Sequence, residues 1–154
     1  KRPSGGETVI LTPSTIALTV ARNFPVMIRF GDFFSMVNSV VIEGLAEMGV
    51  SRLGPKGISD ITLGNKKILG SSMRKVGSKL VYHAVLNIAE NPALFSKYLS
   101  HPRREPDYRA GRSHHEFVTS LAAEGYNFTH GEVMSMLNRM LGRLMASRQP
   151  ITDL

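Results

Sequence analysis

The chain has 154 residues, 42% of them hydrophobic and 20% charged, with 19 Lys+Arg against 12 Asp+Glu and a formal net charge of +7. That is one ordinary globular domain, or most of one. No run approaches the ~20 apolar residues of a membrane-spanning helix, and no basic start leads into a short apolar stretch with a cleavage site. With no cysteine, disulfides, thiolate zinc sites, iron–sulfur ligation and cysteine nucleophiles are excluded together. A thiol-free chain suits the cytoplasm, which is the expected compartment. The positive balance favours an anionic partner such as nucleic acid, nucleotide phosphates or an acidic carrier protein. The absence of Trp, the 7% aromatic content and the lack of basic–aromatic interleaving argue against a nucleic-acid stacking platform.

The opening Lys1-Arg2-Pro3-Ser4-Gly5-Gly6 reads like the interior of a protein, so an N-terminal part is expected to be missing. Residues 7–11 and 16–22 are β-branched and separated by Thr12-Pro13-Ser14-Thr15, which predicts two paired strands joined by a Pro turn. From Asp32 the apolar period lengthens to Phe33, Met36, Val37, Val40, Val41 and Met48, which predicts an amphipathic helix stopped at Gly49. Residues 59–63 and 66–72 flank Gly64-Asn65, a two-residue turn signal, and predict a hairpin. Residues 79–88 are apolar at both parities and predict a central strand buried on both faces. Asn91-Pro92 opens a short helix to Leu99, by N-cap and Pro at the first helical position. His101 to Arg112 is basic, contains Pro and has no period. Ser113-x-x-Glu116 and Thr129-x-x-Glu132 are capping-box spellings, the second opening a helix with Val133, Met136, Leu137, Met140, Leu141 and Leu144 on one face. The expected fold is α+β, a mixed or antiparallel sheet packed with helices.

Several groups carry chemistry. Arg2-Pro3-Ser4-Gly5-Gly6 could bring backbone N–H groups against a carboxylate or phosphate, since glycine removes the Cβ that would block approach. Lys66 and Lys67 point to opposite faces of a strand, so one can enter the concave side of the sheet, with Gly70 permitting a ligand to come close. An ammonium there could neutralise a phosphate and polarise an acyl oxygen. The plainer reading is an edge strand protected by lysines. Asp60 is a candidate ligand for Mg²⁺ on a nucleotide. Residues 103–114 hold four arginines, Glu105, Asp107, Tyr108 and His114, a density that favours bidentate anion binding or a solvated loop with internal ion pairs. The histidines include no close pair at helical ligand spacing, and no structural metal site is expected.

Taken in order, Arg2-x-Ser4-Gly5-Gly6-x-x-Val9, Gly57-x-x-Asp60-Ile61, Gly64-x-Lys66-Lys67-Ile68-x-Gly70-Ser71-Ser72 and the strand through Tyr82-His83-Ala84-Val85-Leu86 resemble the lipoate-protein ligases of the biotin/lipoate ligase superfamily. The resemblance runs from Arg2 to about Leu144. The stretch Arg104-Glu105-Pro106-Asp107-Tyr108-Arg109-x-x-Arg112-x-His114 resembles a signature of the subgroup associated with lipoate-dependent sulfur oxidation. The resemblance implies that lipoate and ATP give lipoyl-adenylate, and that a carrier lysine then takes the lipoyl group as an amide. It implies Lys67 as the lysine on the acyl carbonyl and α-phosphate. Arg2, Ser4, Gly5, Gly6, Val9, Gly70, Ser71 and Ser72 are then expected around the lipoyl-adenylate, and Asp60 by the nucleotide and Mg²⁺. Arg104, Asp107, Tyr108, Arg109, Arg112 and His114 would form the phosphate or signature loop.

The implied partner is a lipoyl carrier similar to the glycine-cleavage H protein. The chain departs from the family pattern at Glu7, at Leu11-Thr12 followed by Ser14-Thr15, and at Ile58-Ser59, where nucleotide contacts are expected from backbone alone. The family's catalytic domain begins upstream of the Arg-x-Ser-Gly-Gly strand, so residues 1–154 are expected to be that domain without its N-terminal part, which a second chain or a preceding segment supplies. Many such ligases also need a small accessory domain. The alternatives are a non-catalytic lipoyl- or carrier-binding subunit and a biotin-type ligase. A cysteine thioester mechanism, used by octanoyltransferases of this fold, is excluded.

Overall fold

The computed structural model describes residues 6, 8–24 and 28–146. Its frame is a five-stranded sheet, β1 (Thr15–Asn23), β2 (Leu53–Lys56), β3 (Asp60–Leu63), β4 (Lys66–Val76) and β5 (Lys79–Asn87), in the order β1-β5-β4-β3-β2 with every neighbouring pair antiparallel. Four α-helices accompany it: α1 (Phe30–Glu47), α2 (Pro92–Tyr98), α3 (His114–Phe117) and α4 (His130–Ala146). Among the described residues no helix is long and apolar enough to cross a membrane.

The expected helices form where their signals stand. α1 closes ahead of Gly49, whose φ of +92° is open to glycine at little cost. Asn91 caps α2 by accepting from the Ala93 N–H at 2.9 Å, and Ser113 with Glu116 closes a reciprocal capping box on α3. Thr129 and Glu132 make the same exchange at the start of α4.

The strands depart from expectation in three places. Thr8–Leu11 do not enter the sheet; the chain closes a compact turn in which the Thr15 N–H donates to the Thr12 carbonyl at 3.1 Å, and β1 pairs along its whole length with β5. β2, Leu53-Gly54-Pro55-Lys56, carries a Gly and a Pro that argue against a strand from sequence; it forms because it lies at the sheet edge, where a residue without an N–H is tolerated. β5 is buried on one face only: Leu80, Tyr82, Ala84 and Leu86 are buried, whereas Val81, His83 and Val85 are half-buried. Helices α1 and α4 cover the first face, and neither lies on the second, called the open face below. β4 is central rather than an edge, so its lysines do not serve as edge protection.

The core lies between the sheet and α1/α4. Phe33, Val37, Val41 and Leu45 of α1 and Val133, Met136 and Leu137 of α4 pack against Ile16, Leu18, Val20, Tyr82 and Leu86. Gly44 lets the two helices approach closely, because its face is filled by Met136 and Met140. At the centre the Tyr82 hydroxyl donates to Asn38 Oδ1 at 2.7 Å, both groups buried. Burial pushes the Tyr82 phenol up from 10.0 to about 12. Tyr82→Phe strands the Asn38 oxygen and is expected to cost about 1–3 kcal/mol in urea unfolding. The phenol stays neutral longer in the folded state than in the unfolded one, so its contribution is complete below pH 10 and fades as pH rises toward 12. The variant should lose that part of the alkaline decline.

Candidate active site

The site is built where β3 and β4 meet on the open face. Residues directly across a sheet share a face, so Asp60, Gly70 and Val85 lie on one row and Ser72 and His83 on the next. By simple alternation Lys67 would fall on the opposite face, with Leu69. A register shift at Ile61/Thr62 prevents this: Leu69 opposes Ile61 but Lys67 opposes Thr62, leaving Ile68 as an extra residue. Ile68 and Leu69 are both buried in the core, and the strand emerges with Lys67 turned to the open face.

There the Lys67 Nζ lies 2.8 Å from Asp60 Oδ1, with the two side chains 28% and 8% exposed. The Tyr108 hydroxyl donates to the other carboxylate oxygen, Oδ2, at 2.8 Å. Burial, followed by the charge of Asp60 and this hydrogen bond, pushes the Tyr108 phenol far above its ordinary range, so it remains a donor. A Cβ on Gly70 would fall 2.5 Å from Lys67 Cε and 2.6 Å from Nζ. Glycine at position 70 therefore makes room for the lysine itself. The Lys66 Nζ goes the other way, 3.6 Å from Glu124 Oε1. The opposite-face expectation for the two lysines is met.

Other predicted residues divide. Gly6, with φ +97°, comes beside Ser72, its Cβ position 3.6 Å from that of Ser72. Arg2, Ser4 and Gly5 lie outside the described residues. Val9 is exposed and is not drawn into a packed pocket. Ser71 belongs to the opposite row and spends its hydroxyl on the Ser59 carbonyl at 2.6 Å.

The expectation that the arginine segment presents its guanidinium groups to phosphate is corrected in part. Arg112 donates to the carbonyls of Arg109, Asn65 and Tyr108 at 3.0, 3.0 and 2.7 Å. Arg109 is buried, donates to the Arg112 carbonyl at 2.8 Å and sits 3.4 Å from Glu105 Oε2. Both cations lie over the Phe117 ring, and burial lowers the Arg109 pKa from its ordinary value. Burial drives these donors onto main-chain carbonyls of the segment and of Asn65 in the β3–β4 turn, yet Arg109 Nη2 stays buried with no hydrogen-bond partner among the described residues. His114 Nε2 is 3.1 Å from the Ser100 carbonyl, while Arg104 and Asp107 are exposed. The segment then joins the sheet: the Thr119 N–H donates to the Lys67 carbonyl at 2.9 Å, and Val118 bridges Lys67 in parallel.

The sequence reading missed two open-face residues that strand alternation from buried Tyr82 and Met73 would have found. His83 has Nδ1 2.9 Å from Thr19 Oγ1. Arg74, in the row after Ser72, has a buried Nε with no hydrogen-bond partner among the described residues. The face thus offers two cations, small residues between them and few large side chains, which suits an anionic ligand lying along the sheet. Both Asp60 oxygens are engaged, and no group of three His, Asp or Glu ligands gathers among the described residues.

The chain belongs to the lipoyl protein ligase A/B catalytic domain family, whose model matches residues 1–141. Among solved structures it is similar to lipoate-protein ligase A bound with ATP, at 20% identity and a TM-score of 0.69 over 84% of this chain and 51% of that one. It is also similar to the bipartite lipoate protein ligase of Thermoplasma acidophilum, described with its E2 lipoyl domain, at 20% identity and a TM-score of 0.76 over 92% of this chain and 55% of the other. Biotin protein ligase of Aquifex aeolicus in complex with biotin and ATP shares the fold at 15% identity and a TM-score of 0.60, over 86% and 50%. The chain spans about half the length of these structures. No curated protein sequence matches it.

Arg112→Ala removes three bonds to loop carbonyls, and the expected outcome is a loss of about 2–3 kcal/mol in urea unfolding with faster proteolytic cleavage between residues 103 and 112. An unchanged cleavage rate would show that Arg112 does not hold the segment.

Proposed function

We propose that this chain is the catalytic portion of an ATP-dependent lipoate-protein ligase. The observation that carries the reading is the Lys67 ammonium, turned to the open face by the strand irregularity and held there by Asp60 over Gly70. In the first step the lipoate carboxylate attacks the α-phosphorus of ATP and pyrophosphate leaves. In the second the carrier lysine amine attacks the acyl carbonyl, AMP leaves with the bonding electrons and the amine loses a proton to solvent. Neither step needs a protein nucleophile. Both need the reactants aligned and negative charge on the phosphate and acyl oxygens neutralised.

Lys67 supplies that charge by exchanging its hold on Asp60 for the α-phosphate and acyl oxygen. Arg74 faces the same surface with an unsatisfied Nε and supplies a second cation for a carboxylate or phosphate. Gly6, Ser72 and Gly70 keep the path between them low, and Arg2, Ser4, Gly5 and Val9 extend it as a lipoyl-adenylate wall. Mg²⁺ accompanies ATP through its phosphates, with Asp60 beside it once Lys67 has moved to the ligand.

The complete activity uses polypeptide beyond these residues. Support comes from the half-length coverage of the similar structures and from the bipartite ligase among them, so a second chain or preceding segment completes the pocket. An accessory domain for the adenylation step is part of the same proposal. The acceptor is a lipoyl carrier protein, and the arginine segment associates this ligase with carriers similar to the glycine-cleavage H protein and with sulfur oxidation. The net charge of +7 favours an acidic acceptor. We place the protein in the cytoplasm, where ATP is available.

Incubation of the complete ligase with apo-carrier, lipoate, ATP and Mg²⁺ should add one lipoyl group to the carrier by mass, and only when ATP is present. Gain of biotin instead of lipoate would move the protein to the biotin-type ligases, and binding without transfer would make it a docking subunit. Lys67→Met should lower lipoyl-adenylate formation by about 100-fold or more. Gly70→Ala should fold normally, because the atoms it displaces are the free end of a flexible side chain, yet lose about 10-fold or more in the same assay.

A further inference from the structure

Asp60 has two oxygens and two partners. Lys67 Nζ meets Oδ1 at 2.8 Å, and the Tyr108 hydroxyl meets Oδ2 at 2.8 Å. In a weakly polar interior a carboxylate with a single donor concentrates its attraction on that donor. A second charge-assisted bond shares the negative charge and weakens the hold on the first. The lysine that must leave Asp60 for a ligand is therefore governed by the tyrosine on the opposite oxygen.

Tyr108 is held in place with unusual thoroughness for a residue in a non-periodic segment. Its ring lies 5.1 Å from that of Phe117, and its Cε1 is 3.7 Å from the Cβ position of Gly57 in the turn between β2 and β3. Its carbonyl accepts from Arg112 Nη2 at 2.7 Å. The segment that carries it also reaches the Lys67 main chain through Thr119 and Val118. One stretch of chain thus sets both the backbone and the counter-ion of the same lysine. Burial and the Asp60 charge keep the phenol protonated, so the donor is always in place.

We infer that Tyr108 is a positioning residue for Lys67: its hydroxyl occupies Asp60 Oδ2, limits the carboxylate to a single-point hold on the ammonium, and so sets where that ammonium waits and how readily it is released to the acyl-adenylate. This rests on the reading of Lys67 as the lysine that meets the adenylate. It replaces anion binding as the role of this part of the arginine segment.

Tyr108→Phe keeps the ring packed and removes one oxygen. The test is a double-mutant cycle with Asp60→Asn on the purified full-length protein and whatever second chain completes it. The first readout needs no turnover: the rate at which acetic anhydride acetylates Lys67, relative to the other lysines, by peptide mass spectrometry. Tyr108→Phe should slow Lys67 labelling by about three- to tenfold, Asp60→Asn should speed it, and in the Asp60→Asn background Tyr108→Phe should change nothing. The second readout is lipoyl-adenylate formation, where Tyr108→Phe should lower kcat by about 10-fold with the KM for lipoate within about twofold. Labelling of Lys67 that is unchanged in Tyr108→Phe, or slowed equally in both backgrounds, overturns the inference, since a packing role would act without Asp60. If the labelling follows expectation while the wild type forms no lipoyl-adenylate, the ligase reading fails and the positioning of Lys67 by Tyr108 stands.

Discussion

A carboxylate withdrawn from water must be paired or pay several kcal/mol, and at Asp60 that demand organises the surrounding chain. One oxygen takes a lysine from β4, the other a tyrosine from a segment more than forty residues further along. Neither contact forms unless the sheet, its irregularity and the loop are all in place. Gly70 answers the same demand by leaving the volume through which Lys67 reaches the carboxylate. The pair stabilises little by itself, because the cost of desolvating two ions offsets most of their attraction. What it provides is a defined position for the Lys67 ammonium on the sheet face that the helices leave uncovered.

That surface exists because the helices cover only one side of the sheet. α1 and α4 bury the row of Leu80, Tyr82, Ala84 and Leu86, and the other face sets Val81 and Val85 among small, polar and cationic groups such as Gly70, Ser72, His83 and Arg74. A face without large apolar side chains is unstable as core and useful as a binding floor. The same division explains why a strand that looks apolar at both parities is buried at only one.

The arginine segment shows how burial redirects charge. Arg109 and Arg112 lie against one phenylalanine ring and donate to main-chain carbonyls, so a stretch without hydrophobic period is tied together by its own polar groups, although Arg109 Nη2 is buried with no hydrogen-bond partner among the described residues. Its contribution to the site is then mechanical. It fixes the ring that carries the hydroxyl on Asp60 and docks on the main chain of Lys67.

Much of this was legible in the sequence by itself, because its signals are local. Asn91, Ser113 with Glu116, and Thr129 with Glu132 cap the helices they precede, Gly64-Asn65 turns the hairpin, and Lys67-Ile68-x-Gly70 marks the strand that carries the buried-carboxylate lysine. The α+β class and the ligase family follow from those features in that order. Tertiary structure alone decided which partner β1 takes, that β2 survives its Gly and Pro, and which face Lys67 occupies. Strand pairing is a competition among distant segments, and side-chain direction past an irregularity depends on how two strands fall out of register. The ties between Tyr108, Asp60 and Lys67 were hidden for the same reason, since hydrogen bonds between residues far apart in sequence leave no spacing to read.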